Sequence, residues 1–321
     1  MQNHQTISQA IYRLVQEAQN ILVIAHQKPD GDTLGSNLAF YNYLKKIGKK
    51  VDSFCVHPAP SHLAFLPSSH LINNDPIIFD KKYELILVLD SSNLEYAGVD
   101  KFMTKLPAGY TLVNIDHHQS NLNFGHINLV ITEASSTNEV VYRLFKDWGI
   151  DWDANIATCI ACGLITDTGG FRNPATNYHT LRAAADLKSK GANLHKIINH
   201  ALNNININNL RLWGRALERL KMVAEHNLIY TFLTEKDFAD CGTDESAVDG
   251  ISNFLHILKE GKIILVLRQS SPEIIKGSLR TTSSIDLTKL AGLFGGGGHK
   301  KASGFSLSGR LVYDNNKLII K

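Results

Sequence analysis

The chain has 321 residues, of which 44% are hydrophobic, and its 33 Lys and Arg residues against 30 Asp and Glu residues give a formal net charge of +3. This length predicts two domains. The near balance of charge excludes a protein that holds long nucleic acid by neutralising its phosphates, so any nucleotide ligand should be short.

The first predicted element is an amphipathic helix over residues 1–20, where apolar side chains recur every three or four positions. The segment lacks the basic start and apolar centre of a signal peptide. No stretch of the chain approaches the roughly 20 apolar residues that a membrane span needs. We therefore expect a cytoplasmic protein with no membrane partner.

Apolar, β-branched segments and periodic segments then alternate along the first half of the chain. The predicted strands are 20–26, 49–56, 83–93 and 110–118. The predicted helices are 33–48, 135–149, 153–171 and 179–192. This alternation predicts an α/β domain over residues 1–194 with a doubly wound, mostly parallel sheet, whose ligands bind beyond the carboxyl ends of the strands.

The second half of the chain begins with an Asn-rich and then strongly helical segment, which we predict to be a helical linker over residues 195–226. Three further strands are predicted over 228–238, 262–271 and 273–282. The glycine run GGGGHKKASGF follows at 295–305. Residues 227–321 are therefore predicted to form a smaller α/β domain.

The four cysteines are too few and too scattered for a disulfide framework in a chain of this length. Cys159 and Cys162 form a CxxC pattern, but they lie in TCIACGLI, a run of small and apolar residues. This context predicts cysteines that pack in a helix, not a redox pair or a zinc site.

Histidines and aspartates follow several of these strands and one of the helices. The clusters are His26 with Asp30 and Asp32, then Asp90, then Asp116 with His117 and His118, and finally Asp167. Each residue alone has an ordinary structural explanation, such as a turn or a helix cap. Because the strand ends of a doubly wound sheet meet at one edge, the clusters together predict one metal site.

Two ions fit this cluster better than one. Several carboxylates repel one another unless cations neutralise them, and two divalent metals about 3.5–4 Å apart are the usual arrangement for hydrolysing phosphate esters. Imidazole and carboxylate donors without thiolate favour Mn²⁺ over structural zinc. The sequence shows no serine or cysteine nucleophile placed with a base, so we expect hydrolysis without a covalent intermediate.

Five segments carry a resemblance to a known family. They are HQKPDGD (26–32), LVLDSS (87–92), IDHH (115–118), GLITDTGGF (163–171) and FGGGGHKKASGF (294–305). In this order they resemble the motifs of the DHH phosphoesterase family with a DHHA1-type second domain. Within the family, the chain is most similar to the short oligoribonucleases, or nano-RNases, that also act on 3′-phosphoadenosine 5′-phosphate (pAp).

The resemblance implies a role for each clustered residue. His26 and Asp30 are expected to hold one metal and Asp90 to bridge to the second, which is expected to be held by Asp32, His117 and Asp167. Asp116, a second catalytic candidate beside Asp90, is expected to orient a ligating histidine. His118, the third catalytic candidate, is expected to face the substrate phosphate or the leaving group.

The resemblance also implies a substrate clamp in the second domain, so that the substrate lies in an interdomain cleft. The expected clamp residues are Arg280, Gly296, Gly297, Gly298 and His299. Ser36 is expected near the substrate at the start of its helix. Arg172 either adds charge there or is an ordinary surface arginine. The segment RTTSS (280–284) is less basic than the family pattern, and Ser303 is more polar. Binding of the substrate phosphate is therefore expected to differ.

The expected substrates are pAp, giving AMP and phosphate, and short single-stranded oligonucleotides, with RNA preferred to DNA and no long duplex. A homodimer is compatible with this function. The alternatives are a phosphodiesterase for cyclic di-AMP or linear di-adenylate, a pyrophosphatase, a processive exonuclease, and a nucleotide sensor without catalysis. The complete set of metal-binding residue types favours an enzyme over a sensor.

Overall fold

The computed structural model describes residues 2–202, 206–248, 250–255, 258–314 and 317–321. The chain divides into two compact units, residues 1–204 and 205–321. Within the described ranges, no helix combines the length and the apolar character that crossing a membrane requires.

The first unit contains a six-stranded sheet in which every neighbouring pair is parallel. Its strands are β1 (Asn20–Ile24), β2 (Lys50–Phe54), β3 (Ile72–Asn73), β4 (Leu85–Leu89), β5 (Thr111–Asp116) and β6 (Ile127–Val130). The spatial order is β3-β2-β1-β4-β5-β6. The prediction of a parallel α/β sheet is confirmed, but the sequence did not predict β3 and β6, which have only two and four residues.

The helices predicted for the first half of the chain are all present. The unit contains α1 (Gln2–Glu17), α2 (Gly31–Lys46), α3 (Leu94–Ala97), α4 (Asp100–Met103), α5 (Thr137–Asp147), α6 (Ala154–Asp167), α7 (Tyr178–Ser189) and α8 (Leu194–Ile197). A π-helical turn at Ile198–Leu202 follows α8, and short 3₁₀ helices occur at Ser61–Leu63, Ser69–Leu71 and Pro76–Asp80. The helix α3 and its successor α4 were not predicted.

Both faces of this sheet are buried, as the apolar strand sequences require. Alternate side chains of a strand point to opposite faces, so Ile21 and Val23 pack in the larger core with α1, α2, α5 and α6. Leu22 and Ile24 pack in the smaller core, beside the 3₁₀ helix that contains Phe79 and beside α3 and α4. This double burial explains why the strands are apolar throughout.

Small residues allow α2 and α6 to pack closely. A Cβ atom at Gly35 would lie 2.5 Å from the carbonyl oxygen of Cys159, and a Cβ atom at Gly31 would lie 2.4 Å from Oγ1 of Thr166. Cys159 and Cys162 are fully buried in α6 with free thiols, and burial raises the pKa of both. The predicted packing role of the CxxC pattern is therefore confirmed.

The second unit contains another six-stranded sheet and a separate β-hairpin. Its strands are β7 (Lys221–Val223), β8 (Leu228–Leu233), β9 (Ile263–Ser271), β10 (Ile274–Arg280), β11 (Gly297–His299), β12 (Ala302–Ser308), β13 (Leu311–Asp314) and β14 (Lys317–Ile320). Its helices are α9 (Ile207–Glu218), α10 (Glu235–Cys241), α11 (Ile251–Leu255) and α12 (Leu287–Gly292), with 3₁₀ helices at Ala224–His226 and Glu245–Val248. The sheet order is β11-β12-β10-β9-β8-β7, with only the β8–β9 pair parallel among the described pairs.

Two segments of this half differ from their predicted structure. The strand predicted over 228–238 ends at Leu233, because Thr234 and Asp237 form a capping box that begins α10. The predicted linker is divided between the two units. Ile197 is buried in the core of the first unit, whereas Trp213 of α9 is buried in the core of the second.

The glycine run forms part of the second sheet. Gly297, Gly298 and His299 pair with β12 as the edge strand β11. A Cβ atom at Gly296 would lie 2.2 Å from the carbonyl oxygen of Gly304, and one at Gly298 would lie 2.7 Å from that of Ala302. Close approach to the chain's own backbone therefore requires glycine at both positions.

Candidate metal centre

The clustered histidines and aspartates follow neighbouring strands of the first sheet. His26 follows β1, Asp90 follows β4, and β5 ends at Asp116, directly before His117 and His118. The strand order reverses between β1 and β4, and the crevice beyond the carboxyl ends at such a reversal is the usual ligand site of an open α/β sheet. The expected convergence of these residues on one edge is thus present.

Asp90 lies at the centre of this cluster. Its Oδ2 atom is 3.6 Å from Nε2 of His26, whereas its Oδ1 atom is 3.7 Å from Nδ1 of His118 and 3.9 Å from Nε2 of His117. These distances are too long for direct hydrogen bonds. Asp90 has a left-handed backbone, with φ of 57°, and its N–H donates to the carbonyl of Ile115 at 3.0 Å. The fold holds this buried carboxylate in an uncommon conformation with its two oxygens facing different histidines.

Asp30 combines a helix cap with a position beside His26. Its Oδ1 atom accepts hydrogen bonds from the N–H groups of Asp32 and Thr33, both at 3.0 Å, and so caps α2. Its Oδ2 atom lies 3.8 Å from Nε2 of His26. His26 is buried, and its Nδ1 atom has no hydrogen-bond partner in the described part of the chain. The cap therefore fixes a carboxylate oxygen next to a buried imidazole.

Asp32 is held at the N-terminus of α5. Its Oδ2 atom accepts from the N–H of Thr137 at 2.7 Å, and its Oδ1 atom accepts from the N–H and the side-chain amide of Asn138 at 3.0 and 2.8 Å. The first N–H groups of a helix attract negative charge. A Cβ atom at Gly163 of α6 would lie 2.5 Å from Oδ1 of Asp32, so this position must remain glycine.

His117 is oriented by the backbone. Its Nδ1 atom lies 3.3 Å from the carbonyl oxygen of Ala134, to which it donates in the tautomer that satisfies this contact. Its Nε2 atom then carries the lone pair and lies 3.7, 3.8 and 3.9 Å from carboxylate oxygens of Asp167, Asp32 and Asp90. Asp32, His117 and Asp167 thus present donor atoms that could hold a metal ion.

Asp116 is fully buried, and its carboxylate accepts three hydrogen bonds. Its Oδ1 atom accepts from the backbone N–H of His117 and from Nδ1 of His118, both at 2.8 Å, and its Oδ2 atom accepts from the side chain of Asn121 at 2.6 Å. Asp116 was expected to orient a ligating histidine. The ring that it orients is that of His118, because the Nδ1 atom of His117 faces Ala134 instead.

Burial and the crowding of carboxylates raise the pKa of Asp30, Asp32 and Asp167. Burial, followed by the charges of Asp90, Asp167 and Asp30, raises the pKa of Asp32 well above its usual value. Burial raises the pKa of Asp167 to about 7, although His117 opposes this shift. Additional positive charge nearby would favour the ionised form of these carboxylates.

The histidines have the opposite effect on Asp90. Burial alone would raise its pKa, but His26, His118 and His117 lower it below the usual range. Burial would likewise lower the pKa of His118, but Asp116 and Asp90 raise it to about 9. The carboxylates of Asp116 and Asp90 thus stabilise positive charge on His118.

The donor set fits divalent metal ions. Three groups of side chains each present one ligand atom per residue, with all the atoms of a group within 4.8 Å of one another. The groups are Asp90 with His117 and His118, His26 with Asp30 and Asp90, and Asp32 with His117 and Asp167. Pairs of donors 3.6–3.9 Å apart leave room for an ion at about 2.0–2.2 Å from each donor atom.

Two predicted substrate-binding residues of the first unit have other contacts. Ser36 is fully buried within α2, and its hydroxyl donates to the carbonyls of Asp32 and Thr33 at 2.9 and 3.0 Å. The helix begins at Gly31, five residues earlier than Ser36, so the expectation that Ser36 meets substrate at the helix start is wrong. Arg172 is exposed, and its Nε atom donates to the carbonyl of Gly169 at 2.7 Å.

The predicted clamp residues lie in the second sheet. Arg280 ends β10, is half-buried, and donates from Nη1 to the carbonyl of Leu279 at 2.9 Å. The N–H of Gly296 donates to the carbonyl of Ala291 at 2.9 Å, so it is not open to an anion as the sequence suggested. The side chain of His299 lies outside the described parts of the structure.

Sequence reasoning missed two residues that position the cluster. Thr137 donates from Oγ1 to Oδ1 of Asp90 at 2.8 Å, and Asn138 holds Asp32 through its backbone and its side chain. Both lie in the segment SSTNE, which was interpreted only as the start of the predicted helix 135–149. The available signal was a helix start rich in hydroxyl and amide groups close to an acidic cluster.

Comparisons with known proteins identify the family of this chain. Residues 20–164 match the model of the DHH family, N-terminal domain, and residues 225–320 match that of the DHHA1 domain. The bifunctional oligoribonuclease and PAP phosphatase NrnA of Thermus thermophilus is 31% identical over 289 residues, which cover 90% of this chain and 84% of that protein. The chain belongs to the DHH phosphoesterase family. It is therefore a hydrolase of a metal-dependent family, as the motifs predicted.

Two further DHH relatives extend the comparison. The bifunctional oligoribonuclease and PAP phosphatase NrnA of Bacillus subtilis is 26% identical over 312 residues, which cover 92% of each chain. The crystal structure of an exopolyphosphatase-related protein from Bacteroides fragilis has a TM-score of 0.87 at 28% identity, covering 94% of this chain and 91% of that chain. The likeness thus includes both the DHH and the DHHA1 parts.

Proposed function

We propose that this protein is a two-metal phosphoesterase that hydrolyses short single-stranded oligonucleotides to mononucleotides and converts pAp to AMP and phosphate. The observation that carries the proposal is the position of Asp90, whose two carboxylate oxygens face two different sets of donors. The names of the Thermus thermophilus and Bacillus subtilis relatives, which give both activities, support the choice of substrates.

The proposed ligands form two sets that share Asp90. The first ion would be held by His26, Asp30 and Asp90, and the second by Asp32, His117, Asp167 and Asp90. Manganese suits a site of imidazole and carboxylate donors without thiolate. When bound, the ions would lower the pKa of water and neutralise negative charge on the phosphoryl group.

The protein's own contribution is to hold these donors in fixed positions. The N-terminus of α5 fixes the carboxylate of Asp32, the carbonyl of Ala134 fixes the ring of His117, and Thr137 fixes one oxygen of Asp90. Each of these contacts fixes the orientation of a proposed metal ligand. Such an arrangement needs little rearrangement when charge develops on the phosphate.

We assign His118 to the substrate's leaving group. Asp116 accepts from Nδ1 of His118 at 2.8 Å and so fixes the orientation of the ring. Nε2 of His118 is then the atom that donates a hydrogen bond, and finally a proton, to the departing oxygen. In the second unit, Arg280 is our candidate for binding a phosphate group of the substrate, because a guanidinium can donate two parallel hydrogen bonds to it.

Product analysis with metal-depleted full-length protein tests this function. Mn²⁺, Mg²⁺ and Zn²⁺ are added back separately to reactions with pAp, a dinucleotide, linear and cyclic di-adenylate, and pyrophosphate. We expect Mn²⁺ to support release of AMP and phosphate from pAp and of mononucleotides from the dinucleotide. Intact pAp and intact dinucleotide after prolonged incubation with Mn²⁺ would contradict the proposal, and nucleotide binding without hydrolysis would indicate a sensor.

A further inference from the structure

Tyr96 is an exposed aromatic residue next to the candidate metal centre, and neither the proposed ligand sets nor the assignment of His118 uses it. Its ring centroid is 5.1 Å from that of His26, with an angle of 54° between the ring planes. His26 is buried, yet 46% of Tyr96 is exposed. Tyr96 thus contacts a proposed metal ligand with its ring, while nearly half of the residue's surface stays open to solvent.

The backbone that carries Tyr96 is held in a fixed position. The N–H of Tyr96 donates to Oδ1 of Asn93, which caps α3, at 2.6 Å. The side chain of Gln27, which directly follows His26, donates to the carbonyl of Glu95 at 3.3 Å. A Cβ atom at Gly98 would lie 2.8 Å from Cβ of Gln27, so α3 packs closely against the loop after β1. The ring is thus presented from a rigid support.

The side chain of Tyr96 is better suited to contact an uncharged part of a ligand than a phosphate group. A phenol is uncharged at neutral pH, so the side chain of Tyr96 carries no charge that would attract or repel a nucleotide. A neutral aromatic ring offers a flat π-face, on which any nucleobase can stack. The neighbouring proposed metal ligands would lie beside the substrate phosphate, and the Tyr96 ring would be available to contact the base.

A second exposed apolar side chain lies on an adjoining loop. Leu122 is 69% exposed, and its backbone N–H donates to the carbonyl of Ser92 at 2.9 Å. Asn121 ties the same loop to Asp116 through its side-chain amide. The loop that follows β5 is therefore joined to the loop that follows β4 and leads into α3, so exposed Leu122 and the helix that carries Tyr96 both follow carboxyl ends of strands in this sheet.

We infer that Tyr96 is a nucleobase-binding residue: the base of the nucleotide whose phosphate lies at the metal centre stacks on the Tyr96 ring. The first unit would then select nucleotides over other phosphate esters by itself. This inference rests on the proposed function, because it assumes that the scissile phosphate occupies the centre beside His26.

Two substrates that differ only in the base test the inference with full-length, Mn²⁺-loaded protein. They are deoxyadenosine 3′,5′-bisphosphate and its abasic tetrahydrofuran counterpart. We expect Tyr96→Ala to raise KM about 10-fold for the adenosine compound, within the range of stacking on one base, and to leave KM for the abasic compound within about 2-fold. Tyr96→Phe, which keeps the ring, should behave as wild type with both.

Tyr110→Ala is the matched control, because Tyr110 also lies beside a histidine, with its ring centroid 6.2 Å from that of His126. It precedes β5 and thus lies at the amino end of that strand, away from the metal ligands. This variant should keep the wild-type ratio of the two KM values. Tyr96→Ala with an unchanged ratio would overturn the inference, as would Tyr96→Phe with an equal loss on both substrates, which would indicate a hydroxyl contact to phosphate.

The failure of the inference and that of the proposed function are distinguishable in the same experiment. Wild-type protein that hydrolyses neither bisphosphate and leaves pAp intact would remove both proposals together. Wild-type protein that hydrolyses pAp and the adenosine bisphosphate, combined with an unchanged KM ratio in Tyr96→Ala, would remove only the stacking role.

Discussion

The two units each contain a cluster of charged side chains, and the clusters differ in how their charges are satisfied. In the second unit, both oxygens of Glu245 accept from Nζ of Lys276 at 2.9 and 3.1 Å, and they also accept from Arg268 at 2.8 Å and Ser270 at 2.6 Å. In the first unit, the oxygens of Asp90 lie 3.6–3.9 Å from the nearest imidazole nitrogens. The charges of one cluster are paired within the chain, whereas the donor atoms of the other are spaced so that they could hold metal ions.

This difference separates a structural cluster from a functional one. Burial alone would raise the pKa of Glu245, but hydrogen bonds from Ser270, Lys276 and Arg268 lower it to about 2. The carboxylates of Asp32 and Asp167 instead have raised pKa values because they are buried close to other carboxylates. An acidic cluster that the chain leaves unbalanced costs stability without a ligand, which is typical of a binding site.

The largest expected effect comes from Asp90→Asn, which breaks the feature that distinguishes the first cluster. An amide would still face both sets of donors but would supply no negative charge between the proposed ions. Several kcal/mol of charge stabilisation would be lost, so we expect kcat with pAp to fall at least about 10³-fold. Metal content, measured by elemental analysis after dialysis, should fall as well.

Thermal unfolding separates this loss from misfolding. Added Mn²⁺ should raise the Tm of metal-depleted wild-type protein, because binding to the folded state stabilises it, and should raise that of Asp90→Asn much less. Activity of Asp90→Asn within about 10-fold of wild type, with full metal content, would show that Asp90 does not bridge two ions.

An intermediate effect is expected from Thr137→Val, which removes the hydroxyl that donates to Oδ1 of Asp90 while keeping a similar shape. Residues that orient a metal ligand typically contribute 10- to 100-fold to activity or metal affinity, and we expect a loss in this range. Thr137→Ser keeps the donor and should restore most of the activity. Equal losses in the Val and Ser variants would indicate a packing role for Thr137 at the start of α5 instead.

Much of the first unit could be predicted from its sequence because its signals are local. Apolar strands that end in His26, Asp90 or Asp116 indicate both the parallel sheet and the position of the site at its edge. The short strands β3 and β6 could not be predicted, because two to four residues carry too little periodicity. Their place in the sheet depends on pairing with strands that are already formed.

The contacts that position the site were harder to predict, since they join distant segments. Asp32 and Asn138 are 106 positions apart, and only the packing of α2, α5 and α6 brings them together. Ser36 shows the converse error: it follows the motif in sequence but lies inside α2, because Asp30 starts the helix earlier than expected. In the second unit, a glycine run typical of an open loop instead forms a sheet edge.

The smallest expected effect comes from Glu245→Gln, which alters the complete cluster and should leave the metal centre unchanged. The variant keeps the side-chain shape but removes the charge that Arg268 and Lys276 share, so we expect the free energy of unfolding of the second unit to fall by about 1–2 kcal/mol at pH 7. Hydrogen exchange of β9 and β10 in the full chain measures this loss. The rise in Tm on adding Mn²⁺ should match that of wild type.

The pH dependence of that difference follows from the lowered pKa of Glu245. Because the pKa is about 2 in the folded protein against 4.5 for an ordinary glutamate, the carboxylate stabilises the fold above pH 4.5. That contribution is lost as the pH falls from about 4.5 to about 2. Exchange rates of wild type and Glu245→Gln should therefore differ at pH 7 and converge toward pH 2 once the intrinsic rates are corrected. A difference that grows as the pH falls would mean that Glu245 is not stabilised as a carboxylate, and the contrast with Asp90 would no longer hold.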